Sequence, residues 1–155
     1  MRTHFSAPWD TSLKLLTGFF SLILLAVMFY ELTLVSVVLI LSIFFVCAFW
    51  GVRGYTISET ELLIRRLGWA NRIKLSDIDD IRYEPNIMKG SIRIWGIGGL
   101  FGFIGYFRNS RLGNYKAYST SNKHSVVLDV NGKKIVVSPD SPSEFIEAVQ
   151  TTQEN

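Results

Sequence analysis

Reactive side chains are scarce in this sequence, and their scarcity excludes most kinds of chemistry. A single cysteine, Cys47, leaves no partner for an intramolecular disulfide, and its setting among apolar residues suits a small packing side chain. There are two histidines, His4 and His124, and neither has a cysteine or second histidine nearby to complete a metal site. His124 is expected as an exposed residue at a strand edge. No Gly-x-Ser-x-Gly nucleophile motif occurs. The net charge of +3 is too small to argue for nucleic acid. No internal repeat or low-complexity segment appears. A non-enzymatic protein with no cofactor and no bound metal is the expectation.

Apolar sequence, by contrast, is abundant. The stretch from Leu15 to Trp50 contains one residue that is charged at neutral pH, Glu31. As one straight helix it would reach roughly 54 Å, well past the roughly 30 Å of a bilayer core. Two spans divide it better, Leu13 to Phe29 and Thr33 to Trp50, with Tyr30, Glu31 and Thr33 as a polar turn. The expectation is a transmembrane hairpin over residues 13–50, preceded by a segment 1–12. A buried core in a soluble protein would need amphipathic helices to wrap it, and the rest of the chain does not supply them. A cleaved signal peptide would need small residues where Val27-Met28-Phe29-Tyr30 stands.

Charge sets the orientation. Arg2 and Lys14 precede the first span, Arg53, Arg65 and Arg66 follow the second, and the turn carries only Glu31, so both termini are expected in the cytoplasm. Trp9 and Trp50 at one end and Tyr30 at the other fit interfacial aromatic belts. The charges of Arg2, Asp10, Lys14 and Glu31 cancel, which leaves the whole +3 after Trp50, a surplus suited to a domain near anionic headgroups.

After a short connector, Gly51 to Gly54, the pattern changes to strands of one small domain over 55–152. Tyr55–Ser58 and Leu62–Arg66 flank a Glu59-Thr60 turn, and Arg72-Ile73-Lys74-Leu75 alternates basic and apolar residues after a Gly68-Trp69-Ala70 turn. In Ser76-Asp77-Ile78-Asp79-Asp80-Ile81, serine followed by aspartate three residues later predicts a helical turn burying Ile78 and Ile81, in preference to a divalent-metal loop. Arg82-Tyr83-Glu84 continues as a strand until Pro85-Asn86. Ser125–Val130 and Lys133–Ser138 around Asn131-Gly132 make a hairpin with a type I′ turn. Ser141-Pro142-Ser143-Glu144 opens a helix to about Thr152 that lays Phe145, Ile146, Ala148 and Val149 on the sheet, before a tail at 153–155.

The segment Arg93 to Arg108 interleaves glycines with large apolar residues. It has no Gly-Lys-Ser or Gly-Lys-Thr ending and no strand-then-helix context, so it is not a phosphate loop. Two readings stay open. The glycines either turn the backbone so that the aromatics enter the core, or Trp95, Leu100, Phe101, Phe103 and Tyr106 face the bilayer interface with Arg93, Arg108 and Arg111 on the headgroups.

Four stretches, Tyr55–Ser58, Leu63–Trp69, Arg93–Gly102 and Ser138–Ile146, resemble the bacterial pleckstrin-homology-like domain family over about Tyr55 to Val149, most specifically in Arg-x-Trp-Gly-x-Gly-Gly. The resemblance implies an α+β architecture: a helical hairpin in the membrane, then a small, strongly bent antiparallel barrel closed by a C-terminal helix. It also implies a binding or scaffold module of the bacterial inner membrane. Lipid-binding eukaryotic relatives hold an inositol phosphate with basic residues around the first strand pair. Here Ser58-Glu59-Thr60-Glu61 would repel phosphate, which leaves a diffuse, nonspecific attraction to anionic lipid from Arg65, Arg66, Arg72 and Lys74, with Trp69 beside them.

Two functions follow as expectations. In the first, the cytoplasmic domain binds another protein or self-associates through a strand edge or the groove beside the C-terminal helix. In the second, the protein is an accessory or regulatory subunit of a larger membrane complex, with the hairpin as the association surface and Gly18, Ser21 and Ala26 as its small-residue seam.

Overall fold

The computed structural model describes residues 2–30 and 33–154. Glu31, the charge expected in the hairpin turn, lies outside the described residues. Strand β1 (His4–Ser6) precedes helix α1 (Thr11–Tyr30), and α2 (Leu34–Trp50) follows. Asp10 starts α1 by accepting the Leu13 N–H on its Oδ1 at 2.8 Å, and Thr33 caps α2 by accepting from the Ser36 N–H at 3.2 Å. By length and composition α1 is able to cross a membrane, with a mean hydropathy of 2.1, whereas α2 is a shorter apolar helix of 17 residues. Leu13, Thr17 and Ile40 are their only buried residues among those described. Phe44, Cys47, Ala48 and Phe49 are half-buried, and most of the remaining apolar surface is open.

Among the described residues, nine further strands and a C-terminal helix make up the remainder: β2 (Gly54–Ile57), β3 (Glu61–Arg65), β4 (Ala70–Lys74), β5 (Ile78–Tyr83), β6 (Ile92–Gly98), β7 (Phe103–Asn109), β8 (Gly113–Ser119), β9 (Val126–Val130), β10 (Lys133–Val137) and α3 (Pro142–Gln153). They form one sheet in the order β1-β2-β3-β4 and another in the order β5-β9-β10-β8-β7-β6. The expectation of a closed antiparallel barrel is corrected on two points. The two sheets do not join into a barrel, and β10 runs parallel to β8, with Ile135 opposite Lys116.

The segment before the first helix also belongs to the sheet. β1 pairs antiparallel with β2, Phe5 opposite Tyr55, and Phe5 is fully buried against Phe145 of α3. Arg2 then reaches Asp140 and Glu144 at the start of α3, and its guanidinium donates to Ser141 Oγ. Ser141 therefore makes no side-chain cap bond to the helix it precedes. The helical turn expected at Ser76–Asp79 is instead a single 3-10 turn, Leu75–Asp77, running into β5. A bulge between Ile78 and Asp80 rephases the strand, so that Ile78 and Ile81 both face inward three residues apart. His124 lies in a turn rather than on a strand, half-buried, with Nδ1 3.0 Å from Ser121 Oγ. Gln153, expected in the tail, is the last residue of α3 and donates to the Leu75 and Ile78 carbonyls. The β9–β10 hairpin forms as expected, Asn131 and Gly132 taking φ of 50° and 71°.

Strands β9 and β10, in the interior of the six-stranded sheet, are buried on both faces. Leu128, Val126 and Val137 join Tyr55, Leu62, Ile64, Phe145 and Val149 in one core, while Val127 and Val136 pack with Ile87, Phe107 and Tyr115 in another. This explains the unbroken apolar run in β9. At the centre the Tyr55 hydroxyl donates to the Tyr118 carbonyl at 2.6 Å and accepts the Ser138 N–H at 2.9 Å, while Ser138 Oγ accepts the Thr120 N–H at 2.8 Å.

Burial pushes the Tyr55 phenol up to about 12, from about 10 in an unfolded chain. The unfolded state therefore loses this proton first. The stability linked to Tyr55 is complete below pH ~10 and is lost as the pH rises towards ~12. Spectrophotometric titration is expected to find one tyrosine that ionises only as the fold gives way in base, and Tyr55→Phe is expected to remove that step.

Candidate functional site

The glycine-rich segment is the β6–β7 hairpin. Gly96 and Gly105 lie opposite each other, and the two backbones approach too closely for side chains. A Cβ at Gly96 would sit 2.2 Å from the Ile104 carbonyl oxygen, and one at Gly105 would sit 2.2 Å from that of Trp95. Both have positive φ, 115° and 133°. The turn at 99–102 docks on the helices. Thr17 Oγ1, buried in α1, donates to the Gly99 carbonyl at 2.9 Å and accepts the Phe101 N–H at 3.3 Å. The Phe101 ring packs edge-on against Trp9 and Phe44, at 5.8 and 6.3 Å between centroids.

Between the two sheets, at the end nearest the helices, opens a cleft of about 600 Å³. The four-stranded sheet contributes Arg66, Trp69 and Asn71, β6 to β8 contribute Arg93, Trp95, Tyr106, Lys116 and Tyr118, and α2 contributes Val46 and Trp50. The cleft is lined by three cations and no carboxylate.

Arg66 dominates it. The residue is only 8% exposed. Its Cζ stands 4.4 Å from the centre of the Trp69 ring and 5.2 Å from that of Tyr118. Its Nε and Nη1 have no hydrogen-bond partner, and neither does Asn71 Oδ1 on the same wall. Burial lowers the guanidinium's pKa from its ordinary value. On the far side of Tyr118, Lys116 Nζ lies 5.2 Å from the same ring and 5.4 Å from that of Tyr106. Trp69 meets Trp50 edge-on at 5.9 Å, which ties the Arg66–Trp69 turn to the end of α2.

Of the thirteen residues singled out from sequence, the cleft gathers Arg66, Trp69, Arg93, Trp95 and Tyr106, while Arg111 pairs with Glu84 at 3.6 Å. Trp95 is 76% exposed. Leu100 and Phe101 are in the docking turn, half-buried. Phe103 packs on the second core, under the sheet. Arg65, Lys74 and Arg108 are exposed elsewhere, and Arg72 pairs with Glu61 at 3.6 Å. The three aspartates after Ser76 do not converge. Asp80 pairs with Arg82, Asp79 accepts from the Gly132 N–H, and no metal-binding group of His, Cys, Asp or Glu occurs among the described residues.

The bacterial PH domain family model matches residues 53–153. The chain belongs to that family. No curated protein and no solved structure matches it. In this bacterial PH domain the turn between β2 and β3, at 58–60, borders a separate recess lined by Glu59, Glu61 and Lys74, whereas the Arg66 cleft lies at the other end of β3.

Asn71, Lys116, Tyr118, Thr17 and Asp10 were not apparent from sequence. Strand alternation carried part of the signal: Leu62, Ile64 and Arg66 continue one inward phase beyond the end of β3.

Two substitutions test this geometry. Gly96→Ala is expected to destabilise the protein by about 3 kcal/mol or more, because the clashing atoms are backbone. Thr17→Val keeps the shape but strands a carbonyl and an N–H, at a cost of about 1–3 kcal/mol. Thermal unfolding in detergent checks both, and amide exchange at Phe101 is expected to quicken selectively in the second.

Proposed function

We propose that the protein is a non-enzymatic binding module held at the cytoplasmic face of the bacterial inner membrane by two spans, α1 and α2. One observation carries this reading. Both helices leave long apolar surfaces uncovered, with Leu22 at 69% and Leu39 at 58% exposed, while the strands just before and after them pair in one sheet. A bilayer is the solvent that covers such surfaces without further protein. At 17 residues, α2 meets the lower limit for a span. The positive residues near the domain end of the helices favour the cytoplasmic side. The partner-facing surface is the aromatic rim of the cleft, where Ile92, Ile94 and Trp95 stand exposed on β6.

Cysteine labelling tests the topology. In a Cys47→Ser background, Leu34→Cys is expected to react with a membrane-impermeant maleimide in intact spheroplasts. Thr3→Cys and Glu59→Cys are expected to react only after lysis. Labelling of all three from the same side would overturn the two-span reading.

A second reading, association with a larger membrane complex through the hairpin, is favoured by Gly18. An added Cβ there meets nothing within 4 Å, so the glycine is open to another helix. Gly18→Leu is expected to release a co-purifying membrane partner if the hairpin is the joint, and to leave it bound if the PH domain is.

A further inference from the structure

From the Arg66 cleft we infer a built binding site for the phosphate group of an anionic membrane lipid. This rests on the membrane placement proposed above and goes beyond diffuse attraction to a surface. Arg66 is more than nine-tenths buried as a residue, and its Nε and Nη1, both buried and lacking any acceptor, are costly unless something supplies one. No carboxylate borders the cleft, and Lys116 and Arg93 add charge of the same sign. With three cations around the cleft, an anion is favoured as the acceptor over a neutral group, and phosphate oxygens match a guanidinium edge and a nearby ammonium. Trp69 covers the face of the guanidinium rather than its N–H edge, is itself 39% exposed, and lines the cleft together with Arg66.

The surroundings select a lipid over a free phosphate. Val46 and Trp50 bring the last turn of α2 into the cleft wall. Arg93, Gly96 and Ile97 also border a second crevice of about 380 Å³, which runs between α1, α2 and β6 and is lined by Phe20, Ile23 and Ile43. One molecule with a phosphate and acyl chains fits both: headgroup at Arg66, chains along the helices. The site is distinct from the acidic Glu59–Glu61 recess at the opposite end of β3.

The test uses the full chain in nanodiscs of phosphatidylcholine titrated with phosphatidylglycerol. Tryptophan fluorescence is the readout, since three of the four tryptophans line the cleft. A saturable change is expected, weakened about tenfold or more by Arg66→Met and unaltered by Arg72→Met, which removes the same charge outside the cleft. Should Arg66→Met fail to fold, Lys116→Met and Arg93→Met carry the same test, with a severalfold weakening expected in each. Equal titrations for all these variants and the wild type would overturn the site. Inorganic phosphate added to the protein in detergent is expected to bind far more weakly, and binding of phosphate as tight as that of the lipid would overturn the lipid assignment. Failure here leaves the maleimide topology untouched, and a failed topology is read from labelling alone, so the two outcomes are separable.

Discussion

The pairing of β1 with β2 is the constraint on which the rest depends. The chain enters the helical pair from one strand and leaves it into the neighbouring strand of the same sheet. The two helix ends are thus fastened by backbone hydrogen bonds and by a fully buried Phe5, beyond whatever attraction the helices have for each other. Because Phe5 also packs on Phe145, the last helix of the fold is engaged by the first residues of the chain. The domain is therefore built around the base of the helices, whereas a flexible tether would have left the two independent.

Secondary contacts reinforce that base from the other sheet. The β6–β7 turn enters between α1, α2 and Trp9, held by the two hydrogen bonds of Thr17. Glycine at 96 and 105 lets the hairpin backbones close up, with Trp95 and Tyr106 turned to the cleft and Phe103 and Phe107 to the second core. Since the sheets stop short of closing into a barrel, the gap between β4 and β6 becomes the cleft, and Arg66 lies in its floor. Of the aromatic residues in the glycine-rich segment, Phe107 enters the core, as does its neighbour Ile104, while Trp95 and Tyr106 stand out from it.

Local chemistry made some of this legible in the sequence. Asn-Gly demands one turn, Ser-Pro-Ser-Glu opens one helix, and an apolar run of that length allows few folds. Pairings between distant segments were not legible. His-Phe-Ser at the start of the chain has no period to read, and the parallel register of β8 on β10 arises from a crossover that no local pattern encodes. The aspartate-rich segment misled because a one-residue bulge gave a strand the spacing of a helical turn. Arg65 and Arg66 look equivalent as letters, yet strand alternation sends one to solvent and the other beneath a tryptophan.

Asp10 links two parts of the molecule that a sequence map would keep separate. One carboxylate oxygen accepts the Leu13 N–H at the start of α1, and the other accepts the Asn122 N–H, next to the loop that Ser138 holds. Helix α1 is thereby hinged to the domain's interior rather than to its surface. Its tilt is therefore not a free variable: inclining the rod against the sheets has to move the 120–122 loop or break one of the two hydrogen bonds of a single carboxylate.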